Sequence, residues 1–228
     1  MKLGNRVSVA CLAVLLLVPM AGPAAGWSNG SDGHNSFGTH DWILAKALKG
    51  AGDPSWVNRS VALRATDDPD TKDGIPYASG TWWHVWDRWG DTYGGAPEAA
   101  AHWFRVIQKR RAAGNDRGAS RALGIFAHIV GDMGNPTHTD STKREESMHS
   151  PHESGTDDRL SSYSFSFDGE RERRPAAAVK AMAKKGHRLY FELVKEYSRH
   201  GYSQRVTEIT QASLRRAANV LADLILSL

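Results

Sequence analysis

Histidines and acids follow one another in chelating order along this chain: His40, Asp70, His84, His128, Asp132, His138, His149 and Glu153. Imidazole nitrogens and carboxylate oxygens are the donors zinc takes in open, catalytic sites. His128 and Asp132 are four apart in a strongly apolar stretch, so on a helix they project from one face, one turn apart. His149 and Glu153 repeat that spacing. Two polar side chains on a buried helix need partners, because each unsatisfied group costs about 1–3 kcal/mol. Taken alone, the H-x-x-x-D pair also fits a hydrogen-bonded His–Asp pair inside a core. The donors that follow, His138 after Gly134-Asn135-Pro136 and then His149 and Glu153, favour metal with N and O ligands, in more than one ion.

A ninth donor comes from the N-terminus. Residues 1–26 read as a secretory signal: Lys2 and Arg6 begin it, Val7–Met20 is apolar, and Ala24-Ala25-Gly26 is a small-residue cleavage site. Cleavage after Gly26 makes Trp27 the first residue, whose free amine and carbonyl can close a five-membered chelate around a metal. Of 228 residues, 202 remain, enough for one domain with a substantial core. The signal holds two basic residues and no acid, so the formal charge falls from +4 to +2, too little to argue for a nucleic-acid or anionic-membrane partner by itself. Cys11, the only cysteine, lies in the signal. The mature chain therefore has neither a disulfide nor a thiolate ligand. An apolar run that follows Cys11 instead of preceding it argues against lipid attachment there, and Val7–Met20 is short for a retained anchor. The expectation is an exported, soluble protein.

The elements that must position these donors are helical. Apolar spacing predicts helices over Phe37–Leu48, from Asp53-Pro54 to Ala65, over Ala96–Ala113 and over Ala119–Met133. The fourth is apolar on most sides and should run through the centre of the domain. Two long amphipathic helices follow, Ala176–Ser198 and Ser203–Leu228, separated at Gly201. Asp67–Gly80 reads as a loop, and Thr137–Ser164 as a polar loop with at most one short helix. The alternation Tyr163–Phe167 is the one strand-like stretch.

Order and spacing resemble the bacterial zinc-dependent phospholipase C family and its cousins, the single-strand-specific zinc nucleases. The matching positions are Trp27, His40, Pro69-Asp70, His84 in His84-Val85-Trp86-Asp87, His128-x3-Asp132-x5-His138 and His149-x3-Glu153. The resemblance implies an all-α, single compact multi-helix domain over residues 27–228 around three zinc ions. It implies one ion on Asp70, His84, His128 and Asp132. A second would take the Trp27 amine and carbonyl, His40 and the other oxygen of Asp132, and a third His138, His149 and Glu153. The implied reaction is attack of metal-activated hydroxide on the phosphorus of a phosphodiester, with Asp70 as a candidate general base.

Several positions have rivals. His152 competes with His149, and Glu153 also fits a capping box, Ser150-Pro151-His152-Glu153. His34 competes with His40, and Asp67, Asp68 and Asp73 surround Asp70. His102, His187 and His200 fall outside the pattern. Trp82, Trp83, Trp86 and Trp89 crowd around His84, as core or as an aromatic rim for a lipid or a base.

Between the two branches, the thirteen residues from Trp27 to His40 and the H-x-x-x-E ending resemble the phospholipases. Near-neutral mature charge argues mildly against a nucleic-acid groove. The expectation is a secreted, monomeric phospholipase C that releases diacylglycerol and a phosphorylated headgroup. It would touch the membrane transiently and hold no stable nucleic-acid partner. The chain ends at Leu228, without the membrane-binding domain of the toxin-like members, so a catalytic domain alone is expected. Choline selectivity does not carry over, since Ser28–Gly33 offers only Asp32 as an acid. The alternatives are a zinc nuclease and a non-catalytic secreted zinc-binding helical protein.

Overall fold

Asp116–Gly134 forms the central helix, α5, and from Ala122 to Gly134 every one of its residues is buried. A helix apolar on nearly all sides needs neighbours on all sides. Those are α1 (Thr39–Gly50), α2 (Arg59–Arg64), α4 (Ala96–Ala112), α7 (Pro175–His200) and α8 (Gln204–Leu226). The short α3 (Asp68–Thr71) and α6 (Lys143–Asp157) complete the set, with 3-10 turns at Thr81–Trp83, Pro136–His138 and Leu160–Ser162. The computed structural model describes Trp27 and residues 37–86, 94–140, 143–169 and 174–228. The expected signal, His34 and Trp89 lie outside the described residues.

Polar side chains set several helix starts by taking the otherwise unpaired first-turn N–H groups. Asn58 accepts from Val61, Asn115 from Gly118 and Ser203 from Val206. Asn58 also explains why α2 begins later than Asp53-Pro54 suggested. Residues before Asn58 turn instead, with Asp53 at φ 47° and Val57 N–H donating to the Pro54 carbonyl. A tertiary bond from Asn58 N–H to Ser120 Oγ at 2.8 Å ties that cap to α5.

Two other segments depart from expectation. Residues 137–164 contain a full helix, α6, whose buried side is largely polar: Met148, His152, Glu153 and Thr156. Hydrophobic periodicity cannot detect such a face. No strand forms at Tyr163–Phe167. That segment runs extended along α8, whose amides satisfy its backbone: Ser164 N–H donates to Gln211 Oε1 at 2.8 Å, and Asn219 Nδ2 donates to the Ser166 carbonyl at 3.1 Å.

Trp27, wholly buried, belongs to the main core with α1, α4, α5, α7 and α8. A smaller cluster joins α6, α7 and α8 through Met148, Tyr190, Leu193, Val194, Val206 and Ile209. Among the described residues no helix is long and apolar enough to cross a membrane.

Candidate metal centre

The second half of α5 presents His128 and Asp132 toward the segment between α3 and α4 and toward α1. Three of the rings there are fixed through one nitrogen. His128 Nδ1 lies 2.8 Å from the Thr66 carbonyl oxygen, His138 Nδ1 2.7 Å from that of His84, and His84 Nε2 2.7 Å from that of Ala78. A carbonyl only accepts, so these nitrogens hold the ring proton, and in the neutral rings the opposite nitrogens present lone pairs. Backbone carbonyls behind the rings are the usual way ligating histidines are oriented.

The lone pairs converge. His84 Nδ1 and His128 Nε2 lie 3.0 Å apart. Asp132 Oδ2 stands 2.8 Å from the first and 3.2 Å from the second, and Asp70 Oδ1 3.6 and 3.5 Å from them. Nitrogens and carboxylate oxygens facing each other this closely share either a proton or a metal cation. Ligands about 2.0–2.1 Å from a tetrahedral zinc are separated from each other by about 3.3–3.4 Å. The five separations straddle that value, so this donor set fits a metal ion.

Two further groups adjoin it. His40 Nε2 faces the other Asp132 oxygen, Oδ1, at 3.5 Å, in a group with His128. His138 Nε2 and His149 Nε2 approach Glu153 Oε1 at 3.6 and 2.8 Å. Both ring nitrogens of His40, Asp132 Oδ1 and His138 Nε2 are buried without a hydrogen-bond partner. Orphaned groups of this kind are rare in native proteins and mark a missing partner. A Cβ on Gly131 would stand 2.8 Å from His40 Nδ1, so the bare backbone at Gly131 lets that ring lie against α5.

Charge organises the centre in the same sense. Burial, aided by His128, drives the His40 pKa down to about 3, which leaves a neutral ligand. Burial also opposes the charged forms of His128 and Asp132. Their mutual attraction outweighs it: in the metal-free chain His128 is held well above its ordinary value by Asp132 and Asp70, and Asp132 well below by His128 and His138. Asp70, against the opposing effect of burial, is lowered to about 2, chiefly by His128. Burial raises Glu153.

Trp27 reaches this centre from the far end of the chain. Asn135 N–H donates to the Asp132 carbonyl, and the Gly131 carbonyl accepts from the Trp27 indole Nε1 at 3.0 Å. The indole is thereby tied to the residue next to Asp132 and beneath His40.

Rival positions separate cleanly. His152 turns away from the donors, with Nε2 3.0 Å from Thr210 Oγ1 and its ring stacked on Tyr202, while His149 faces Glu153. Glu153 lies inside α6, not at a cap. Asp68 pairs with Lys72 and Arg121 and Asp67 sits beside Thr66, leaving Asp70 among the donors. His102 stacks on Tyr77, and His187 Nδ1 lies 3.1 Å from the Thr139 carbonyl. Of the tryptophans, Trp86 is core, Trp83 packs on Tyr77, and Trp82 is 46% exposed beside His84.

Supporting residues escaped the sequence reading. Asn135 Nδ2 donates to Glu153 Oε1 at 3.1 Å; its Asn-Pro context marked only a helix stop. Thr66, whose hydroxyl donates to Asp41 Oδ1 at 3.0 Å, supplies the carbonyl behind His128, and nothing local marks it.

No protein-family model matches the chain, and no curated protein sequence does. Solved structures do match. Clostridium perfringens alpha-toxin from an avian strain superposes with a TM-score of 0.64 at 14% identity, over 90% of this chain and 63% of the toxin chain. Alpha toxin from Clostridium absonum gives 0.63 at 16% identity, over 83% of this chain and 63% of that one. The chain has the alpha-toxin fold. It spans about 63% of the length of each toxin chain, and at these identities the likeness is one of fold. On that fold, the all-helical domain expected from the motifs and the one observed agree.

Proposed function

We propose that this chain is a secreted zinc-dependent phospholipase C that cleaves the glycerol-side phosphodiester of phospholipids to diacylglycerol and a phosphorylated headgroup. The observation that supports it most is Asp132, whose two oxygens face two adjoining donor groups, Asp70/His84/His128 on one side and His40 on the other. Zinc ions held by these residues would supply Lewis acidity toward the phosphate oxygens and neutralise the charge that develops during displacement. His138, His149 and Glu153 would hold a third ion, with the Asn135 amide orienting the Glu153 carboxylate.

Asp132 and His128 are sealed from solvent, whereas the Asp70 and His149 side chains are 14% and 17% exposed. These two residues therefore mark the edge at which substrate enters. Asp70, the carboxylate at that edge, accepts the proton of the attacking water in this reading. In this reading Trp82 and Trp83, just before His84 in the chain, would supply an apolar wall for the glycerol backbone and its ester groups. Signal cleavage after Gly26 would expose the Trp27 amine for the second ion, making export part of assembly. The protein is read as a monomer of one catalytic domain.

Parallel assays decide the substrate. Purified protein with bound zinc should release diacylglycerol from phospholipid and lose that activity to a chelator. Release of mononucleotides from single-stranded DNA without lipid turnover would make it a nuclease, and metal without either activity a binding protein.

A further inference from the structure

On α7 the exposed side chains Lys180, Lys184, Arg188 and Lys195 fall at positions i, i+4, i+8 and i+15, one face of the helix, and Lys185 flanks them. The row is about 22 Å long at 1.5 Å per residue. Among the described residues none of the five pairs with an acid. Glu192, the acid interrupting the row, is already bonded by Arg205, with Nε to Oε1 at 2.7 Å. Phe191 stands 54% exposed toward the C-terminal end of the same face.

One residue of the row touches a segment that supplies the metal centre, and a buried residue of the same helix touches another. Lys180 Nζ sits 5.9 Å above the Trp86 ring, two residues after His84. His187, in edge contact with Phe191, has its Nδ1 3.1 Å from the Thr139 carbonyl, next to His138.

We infer that this face of α7 is a docking surface for an anionic phospholipid bilayer. Net charge hides it, because acids elsewhere cancel the total while this face has an uncompensated excess. A single convex helix presenting a straight row of cations with one inserted aromatic suits a plane. A nucleic-acid strand is instead tracked by a groove with stacking platforms. Basic residues at an anionic surface and an apolar side chain in the interface are the two contributions an interfacial helix makes. The inference is independent of the reaction at the metal centre.

The test is brief co-sedimentation on ice of the purified, full-length mature protein, loaded with zinc, with vesicles, diacylglycerol release being followed in the same samples. Binding to phosphatidylcholine mixed with phosphatidylglycerol should exceed binding to phosphatidylcholine alone and fall with added salt. K184Q/R188Q should weaken it about 30-fold, the effect of removing two basic residues from an anionic surface. Phe191→Ser should weaken binding to a degree that salt does not change. Circular dichroism and turnover of a monomeric short-chain substrate should be unchanged in both variants. Equal binding to both vesicle types, or a double variant that binds like the parent, would overturn the proposal. So would K184Q/R188Q-sensitive binding to single-stranded DNA with no vesicle binding. Vesicle binding without any lipid hydrolysis would leave this inference standing and refute the phospholipase reading instead.

Discussion

Replacing Gly131 with alanine puts the positioning of His40 to a quantitative test. The new Cβ would stand 2.8 Å from His40 Nδ1, 3.2 Å from its Cε1 and 3.4 Å from Ile43 Cδ1. Ordinary contact begins near 3.4 Å, so the ring must retreat by about 0.6 Å from a fully buried site. Alanine gains about 1 kcal/mol of helix propensity over glycine. Overpacking costs about 1–3 kcal/mol, so the net loss of stability should be about 0–2 kcal/mol. Metal–ligand distances tolerate only about 0.2 Å, which makes the binding penalty the larger effect, about 10–100-fold in affinity. Gly124→Ala is the control on the same helix. Its Cβ would stand 2.2 Å from the Ala62 carbonyl oxygen, a backbone atom that cannot swing aside. That variant should lose more stability yet keep its metal when folded. Denaturant melts of the metal-free proteins, paired with metal analysis after dialysis against buffered zinc, separate the two effects. Gly131→Ala that is more stable by the full propensity gain and binds zinc as tightly as the parent would refute the placement of His40.

Further outcomes follow from the same geometry. Acetylating the Trp27 amine, or extending the mature chain by one residue, should lower zinc content by about one ion and reduce turnover; full metal and full activity would exclude the N-terminal ligand. Asp132→Asn should reduce activity at least ~10-fold more than His149→Ala, since Asp132 serves two donor groups and His149 one; equal losses in side-by-side kinetics would count against the shared role. His152, whose pKa burial and then His149 lower to about 3, should contribute acid sensitivity. The unfolded chain takes up that proton near pH 6.5 while the folded chain resists it until about 3. The contribution is therefore whole above pH 6.5 and is lost as pH falls, by up to about 1.4 kcal/mol per pH unit. His152→Phe should flatten the pH dependence of urea-unfolding free energy by up to one proton between those limits. Identical slopes would show that His152 titrates normally.

By itself the sequence determined the helical class, the central helix and which histidines and acids were candidates for the site. Apolar spacing makes Ala119–Met133 apolar on most sides, and the four-residue step from His128 to Asp132 puts both on one face whatever surrounds them. The eight histidines and acids that the structure gathers were legible because residue type is a local property, while Trp27 as a ninth ligand rests on the proposed signal cleavage. Tertiary structure decided what local pattern cannot encode. It chose His149 over His152, because α6 turns one toward Glu153 and the other toward Thr210 and Tyr202. It revealed α6 itself, whose buried side is largely polar and finds distant partners such as Asn135 and Thr210. It also tied Trp27 to Gly131 across 104 residues, a hydrogen bond that exists only once α5 is wrapped by its neighbours. Side-chain chemistry is written along the chain, but whether buried nitrogens and oxygens converge to metal-binding separations depends on how the helices pack.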